Sequence, residues 1–600
     1  MIEELLSNLP DRIGSFSPFP AASQRQRWQA LSERARQRIL ATAGRSANQS
    51  YPFLSASAYM EFSKSGNRTQ FEALYFEKRR KLNAAVLAEC ITGDGSRLGE
   101  IIDGIYSICE ESGWQLPAHN SYVRDTPQEL LPDPTRPVLD LFACETGALL
   151  ATLRTLLKAE LDGISPLIVQ RIDESIGQRI ITPYLTSHFW WMGNGDEPMC
   201  NWTPWCTQNV LIALLCLPTD QSIRKQGIAQ AAYSLDCFLK DYGEDGSCNE
   251  GAQYYRHAAL CLFGSLEILN TVTDNAFVQL YQESKIRNMA TFIMKVHAQG
   301  PYSLNFGDCS PLAGLCTARE YLFAKRIADK SFQNFALCQY HLEEAEKRDL
   351  PQEINLAYRL LSLFLEIEME ESQPEPPKEG DCYFPSTGLL VSRDTTYVVA
   401  VKAGGNGESH NHNDTGSITV YKDGKPLLID VGVESYARKT FSPERYEIWT
   451  MQSAYHNVTN FPPYMQGAGE EFCATETDVQ MERNPSIRME LKGAYPREAK
   501  IHTYTRKVIH RKHVCIEVTD TVESTSLPTL TLMSVELPSV EDNTIFLGEL
   551  GTIQIGANSN PLDITIEEIP ITDARLSLAW PERIYRILIR YRDRISLQIR

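Results

Sequence analysis

The sequence has no uninterrupted apolar run near the roughly 18 residues of a membrane span, the nearest being the mixed segment from Val210 to Leu217, so no membrane association is expected. Its opening, MIEELLSNLPDRIGSFSPFP, carries acids where a secretory signal is basic and has no apolar core behind them. Export by that route is not expected, and a cytoplasmic address is. No Cys-x-x-Cys pair occurs, and the fifteen cysteines are scattered singly, several in apolar helical text such as Cys216, Cys237 and Cys261. That pattern fits reduced core thiols and argues against a disulfide framework or a cysteine-built metal site. Basic excess is also missing. A formal net charge of −18 does not advertise the cationic face that nucleic acid requires, so an acidic partner would need a local basic pocket.

What is present is core material in two styles. A chain of 600 residues with 43% hydrophobic residues outgrows a single core, so two or more large domains are expected. From about Phe71 to Met369 apolar residues recur at helical spacing, as in LNAAVLAEC, GALLATLRTLLKAEL, NVLIALLCL and LAYRLLSLFLEIEME, with short Gly, Pro, Asp and Asn separators. Ten or more helices in consecutive pairs are predicted over this stretch, within a helical domain of residues 1–370. The stretch ESQPEPPKEG at 371–380 can neither continue a helix nor build a core and reads as a linker. Beyond it the period becomes two, with β-branched residues in TTYVVAVKA, IRMELKG, IHTYTRKVIH, HVCIEVTDTV and YRILIRYR. Residues 381–600 are therefore predicted to be all-β, and Lys422-Asp423-Gly424-Lys425 to be a type I′ hairpin turn.

The sharpest local feature is Ser409-His410-Asn411-His412-Asn413-Asp414-Thr415-Gly416, followed by the hairpin and by Ile429-Asp430-Val431-Gly432. In a strand, His410 and His412 would face the same way, with Asp430 on the return strand and His456 of Ser453-Ala454-Tyr455-His456-Asn457 in the next segment. Two imidazoles and a carboxylate suit zinc. The residues alone equally allow a hydrogen-bonded histidine turn.

The run HNHNDTGSITVYKDGKPLLIDVGVESY, with SAYHN after it and Phe384-Pro385-Ser386-Thr387-Gly388-Leu389 before it, resembles the signature of the heparinase II/III family of polysaccharide lyases. The resemblance implies an N-terminal (α/α) toroid of helix hairpins followed by a C-terminal antiparallel β-sandwich. It further implies one structural Zn²⁺ on His412, Asp430 and His456, with His410 acting at the substrate. Asp245-Gly246 through Glu250-Gly251-Ala252-Gln253-Tyr254 is similar to the family segment that ends in a catalytic tyrosine, here Tyr254, with Tyr255 as the register alternative. Cys200-Asn201-Trp202 resembles the segment whose polar residue neutralises the substrate carboxylate, implying Asn201.

Each of these residues also has a plain structural reading. Asn201 suits a helix N-cap, Tyr254 and Tyr255 a helix surface, and Glu250 an ordinary pair one helical turn before Tyr254. Trp190, Trp191, Trp202 and Trp205 suit either a sugar platform or a core. Arg256 is placed to stabilise a phenolate, while Arg438, Lys439 and Arg445 supply either a positive field for an anionic sugar or a solvated loop.

The function implied by the resemblance is β-elimination on a uronic-acid glycan, oligosaccharide or polysaccharide, leaving a 4,5-unsaturated uronate. A zinc hydrolase on an acidic glycan and a non-catalytic carbohydrate-binding protein are the alternatives. The oligomeric state stays open, a homo-oligomer included.

Overall fold

The computed structural model describes residues 1–600 except 48, 125 and 409, so Ser409, which opens the histidine run, lies outside the described residues. The chain divides into two compact units. The first comprises Met1–Tyr242, Arg256–Glu283 and Leu315–Pro376, and the second Gly243–Tyr255, Ser284–Gly314 and Pro377–Arg600. The last boundary falls inside the proline-rich stretch. Two segments embedded in the helical text go with the second unit, a division that no single cut at residues 371–380 provides.

The first unit is helical. Fifteen α-helices lie among the described residues, all but Ser284–Lys295 in this unit. Their starts follow from side chains that satisfy otherwise unpaired backbone donors. The Ser32 hydroxyl accepts from Ala35 N at 3.0 Å and Asp140 Oδ1 from Ala143 N at 2.7 Å, while Thr317 and Glu320 form a capping box. Helix Trp202–Cys216 is buried on every side, and it packs against Leu141–Ile164, Gln221–Asp241 and Ala259–Val272. A helix apolar all round belongs at the centre of a layered array. This is the helical toroid. No described helix is long and apolar enough to cross a membrane.

The second unit is built on antiparallel sheets. Five strands run in the order Cys382–Phe384, Leu389–Arg393, Tyr397–Lys402, Ile418–Lys422 and Lys425–Leu428. The last pair is the expected hairpin. Asp423 and Gly424 both have positive φ, 48° and 77°, as a type I′ turn demands, and Lys422 pairs with Lys425. A second sheet of eight strands contains Ile501–Arg511 and Cys515–Ser524, and a third of four contains Thr529–Ser534 and Arg583–Tyr591.

Val401, Val420 and Leu428 of the first sheet share one core with Val508 and Val518 of the second and Leu532 and Ile589 of the third. The strict alternation of Ile501–Arg511 carries Tyr504, Arg506, Val508 and His510 inward. Arg506 is thereby buried, and it is opposite Asp520 on the neighbouring strand.

Candidate active site and metal cluster

All of the geometry described first lies within the second unit. The histidine run is a loop, not the strand expected from its spacing. His410 sits in the left-handed region at φ 55°, which is uncommon for a residue with a side chain. The loop is held from both ends. Buried Lys402 bonds Asp414 at 2.7 Å and reaches Glu408 at 3.2 Å, while Gln466 Oε1 accepts from Thr415 N at 3.0 Å. Opposite it, Asp308 N donates to the His410 carbonyl at 3.1 Å. Gly307, at φ 57°, permits that approach, because a Cβ there would stand 2.6 Å from the same carbonyl oxygen.

Asp308, fully buried, gathers the site. Its Oδ2 accepts from His410 Nδ1 at 2.7 Å and from the Tyr436 hydroxyl at 3.2 Å. Its Oδ1 accepts from His412 Nε2 at 3.1 Å and from Arg445 Nη2 at 2.6 Å. Burial opposes the Asp308 charge, but the hydrogen bonds from His410 and His412 and the charge of Arg445 outweigh it and hold the carboxyl well below its usual range.

Tyr254 stacks on the His410 ring, centroids 4.6 Å apart, and its hydroxyl hydrogen-bonds the Tyr436 hydroxyl. Since Tyr436 gives its proton to a carboxylate that can only accept, Tyr254 gives its own to Tyr436. Burial, then Tyr436, Asp308 and Glu250, push the Tyr254 phenol well above its ordinary value. The Arg575 guanidinium lies 4.6 Å over the Tyr436 ring and donates to the Asp308 carbonyl at 2.9 Å. Asp573 fastens this corner by accepting from Ser435 N at 3.1 Å and Arg575 N at 2.9 Å.

His412, Asp430 and His456 come together as expected, all buried, with ligand-capable atoms within 4.8 Å of one another. Asp430 lies two residues past the strand Lys425–Leu428, and His456 follows the short 3-10 turn Ser453–Tyr455, so neither is on a strand. Asn457 explains the His-Asn pairing: its amide donates to the Ile418 carbonyl at 2.7 Å and the Ile429 carbonyl at 2.9 Å, locking His456 beside the hairpin.

The donor set fits a divalent cation. His412 Nδ1 is buried and makes no hydrogen bond. His456 donates Nε2–H to the Thr450 carbonyl at 3.1 Å, so in its neutral form Nδ1, 3.0 Å from Asp430 Oδ2, keeps a lone pair that a cation can take in place of a proton. Burial disfavours the His456 cation, yet the Asp430 carboxylate leaves that imidazole raised; burial leaves His412 lowered.

The remaining candidates separate. Tyr255 is fully buried and gives its hydroxyl to the Ala290 carbonyl at 2.9 Å, a core role, so Tyr254 is the tyrosine that meets His410. The segment before Tyr254 is not helical, and buried Glu250 acts on Tyr254 through charge and not through a shared helix face. Arg256 belongs to the first unit, where it bonds the Leu315 carbonyl; the cation beside the phenols is Arg575. Arg438 is exposed at the start of a 3-10 turn, and Arg445 takes the place expected for it.

In the first unit, Asn201 is buried immediately before helix Trp202–Cys216, without capping it. Trp202 packs on Trp190 at 5.1 Å and His119 at 4.8 Å, and Trp205 lies on His257 at 3.8 Å. Asp308, Tyr436 and Arg575 escaped the sequence reading. Tyr436 ends the very run that carried the resemblance, whereas Asp308 in Asn305-Phe306-Gly307-Asp308 and Arg575 stand in no motif.

Residues 376–525 match the family model described as heparinase II/III-like, C-terminal. No curated protein matches the chain in sequence. Among solved structures, heparinase III aligns at 12% identity and TM-score 0.67 over 100% of this chain and 89% of its own. A mutant of the heparan sulfate lyase HepC of Pedobacter heparinus aligns at 16% and 0.56, over 88% and 76%. The chondroitin AC lyase of Streptomyces coelicolor A3, in complex with chondroitin sulphate, aligns at 9% and 0.53, over 96% and 82%. Residues 376–525 thus belong to the heparinase II/III-like C-terminal family, and the whole chain carries the heparinase III fold of helical toroid and β-sandwich.

Proposed function

We propose that this protein is a polysaccharide lyase that cleaves an anionic, uronic-acid-containing glycan by β-elimination and leaves a 4,5-unsaturated uronate. The carrying observation is the stacked pair of His410 and Tyr254, each with its inward-facing polar atom already engaged, by Asp308 and by Tyr436. With Nδ1–H given to Asp308, His410 keeps a lone pair on Nε2 and is the base for the C5 proton. Tyr254, protonated in the resting site because its phenol is pushed up, is the acid that delivers a proton to the C4 leaving oxygen. As Tyr254 loses its proton, Tyr436 can turn its own hydroxyl hydrogen toward the new phenolate, and the charge of Arg575 supports it. Neutralising the substrate carboxylate is the role that the resemblance implies for Asn201.

We also propose one zinc ion on His412, Asp430 and His456, where it would brace the loop that carries His410. The side chains of the three ligands are 0–3% exposed, whereas that of His410 retains 22%, so His410 and the proposed metal ligands differ in their access to solvent. That contrast favours a structural ion over the hydrolase alternative, since a catalytic zinc keeps a position open to substrate.

Ultraviolet absorbance is followed while the purified protein meets heparan sulfate, chondroitin sulphate and alginate, beside Tyr254→Phe and His410→Ala. A rise in conjugated uronate that both substitutions abolish supports the lyase reading and names the substrate. New reducing ends without the rise would replace it with hydrolysis, and binding without either product with the carbohydrate-binding alternative.

A further inference from the structure

We propose that Asp308 is a positioning residue that sets opposite tautomers on the two histidines of the His-Asn-His run, one for proton transfer and one for metal binding. The catalytic half rests on the lyase reading; the tautomers do not. Arg445 is always a donor and points Nη2 at Oδ1 at 2.6 Å, so Asp308 stands here as an acceptor. The other three contacts are then donations to it.

His410 must carry its hydrogen on Nδ1, 2.7 Å from Oδ2, which leaves Nε2 unprotonated. His412 must carry its hydrogen on Nε2, 3.1 Å from Oδ1, which leaves Nδ1 unprotonated, and Nδ1 is the buried atom without a hydrogen bond. A neutral imidazole has one N–H to give, so the choice made at one nitrogen dictates the other. The Gly307-Asp308 turn is itself pinned by its backbone bond to His410, which keeps the carboxylate from following either ring alone. One buried side chain therefore couples a metal ligand to a reacting group two residues away.

Asp308→Asn keeps the shape and removes half of the acceptor capacity. With the amide oxygen retained by Arg445, the NH₂ group faces His410, whose Nδ1 must then accept, and the proton moves to Nε2.

The test uses the full chain with ¹⁵N-labelled histidine. Two-bond proton–nitrogen correlations are read for His410 and His412, assigned by their loss in His410→Gln and His412→Gln. The wild type should show Nδ1–H on His410 and Nε2–H on His412; any other pair overturns the proposal, whether or not the variant folds. In Asp308→Asn the His410 proton should shift to Nε2, and Zn²⁺ affinity measured by chelator competition should fall roughly 10- to 100-fold. An unmoved His410 proton or an unchanged affinity in a folded variant overturns it, while His412, whose Nε2–H still meets the retained amide oxygen, should keep its tautomer. If the wild type eliminates uronate, kcat should drop about 10³- to 10⁴-fold with KM nearly constant, as when a buried carboxylate no longer selects its histidine's tautomer. A wild type without turnover would sink the lyase reading and leave the nuclear magnetic resonance result to judge Asp308.

Discussion

The Tyr254 hydroxyl donates to the Tyr436 hydroxyl, which donates to Asp308, so two phenols and a carboxylate form one chain with a single direction. Tyr254 and its neighbour Tyr255 are consequently unequal. Tyr254→Phe should lower kcat by about 10²- to 10⁴-fold and leave the melting temperature nearly unchanged. Tyr255→Phe should leave kcat near wild type while costing about 1 kcal/mol of stability, because the buried hydrogen bond to the Ala290 carbonyl is lost. Paired kinetics and thermal melts check both; reversed outcomes would move the acid to Tyr255.

Metal removal should act on stability before chemistry. Elemental analysis is expected to find one zinc per chain. Chelation should lower the melting temperature, and re-addition of Zn²⁺ should restore it, with His412→Ala insensitive to both. A melt unmoved by chelator in a zinc-bearing protein would argue against a structural ion.

His257 predicts an acid limb in the stability of the first unit. Burial first, and then Arg319 and Arg256, push its imidazole down from 6.5 to about 3. A depressed histidine contributes stability that is intact above the unfolded value near 6.5 and lost as pH falls toward 3. By pH ~4.5 the loss should be on the order of 2–3 kcal/mol. His257→Phe, which preserves the stack on Trp205, should melt with a flatter pH dependence than wild type; parallel curves would rule out the assignment.

The sandwich core contains a buried ion pair whose removal should be costly from one side. Arg506 binds Asp520 through two bonds of 2.7 Å and also donates to the carbonyls of Gly416 and Asn457, each at 2.7 Å. Asp520→Ala should destabilise by roughly 3–5 kcal/mol, since it leaves the guanidinium charge buried and unmatched. Denaturant unfolding of the second unit measures it, and a loss under about 1 kcal/mol would mean that water replaces the carboxylate.

Periodicity was a good guide to elements here because both halves bury one face consistently. The five period-two runs read from the sequence all became strands, and Asp423-Gly424 made its turn through local dihedral preference. His410 and His412 defied the same logic. Their loop takes its shape from Lys402, Gln466 and the Gly307-Asp308 turn, contacts remote in sequence that no window of neighbours can express. The clustering of His412, Asp430 and His456 was legible because the resemblance named them in order. Arg575 was not, for one arginine in an irregular segment carries no local signal until the fold sets it over Tyr436.

The apportioning of Gly243–Tyr255 and Ser284–Gly314 to the second unit bears on how this protein can be dissected. A fragment cut at the proline-rich stretch would retain His410 and the three proposed metal ligands yet lack Tyr254 and Asp308, leaving both imidazoles without the carboxylate they hydrogen-bond. Modular grafting of residues 381–600 would therefore leave the proposed proton donor behind, and only a splice that carries both embedded segments would move the whole cluster of Tyr254, Asp308, His410 and Tyr436.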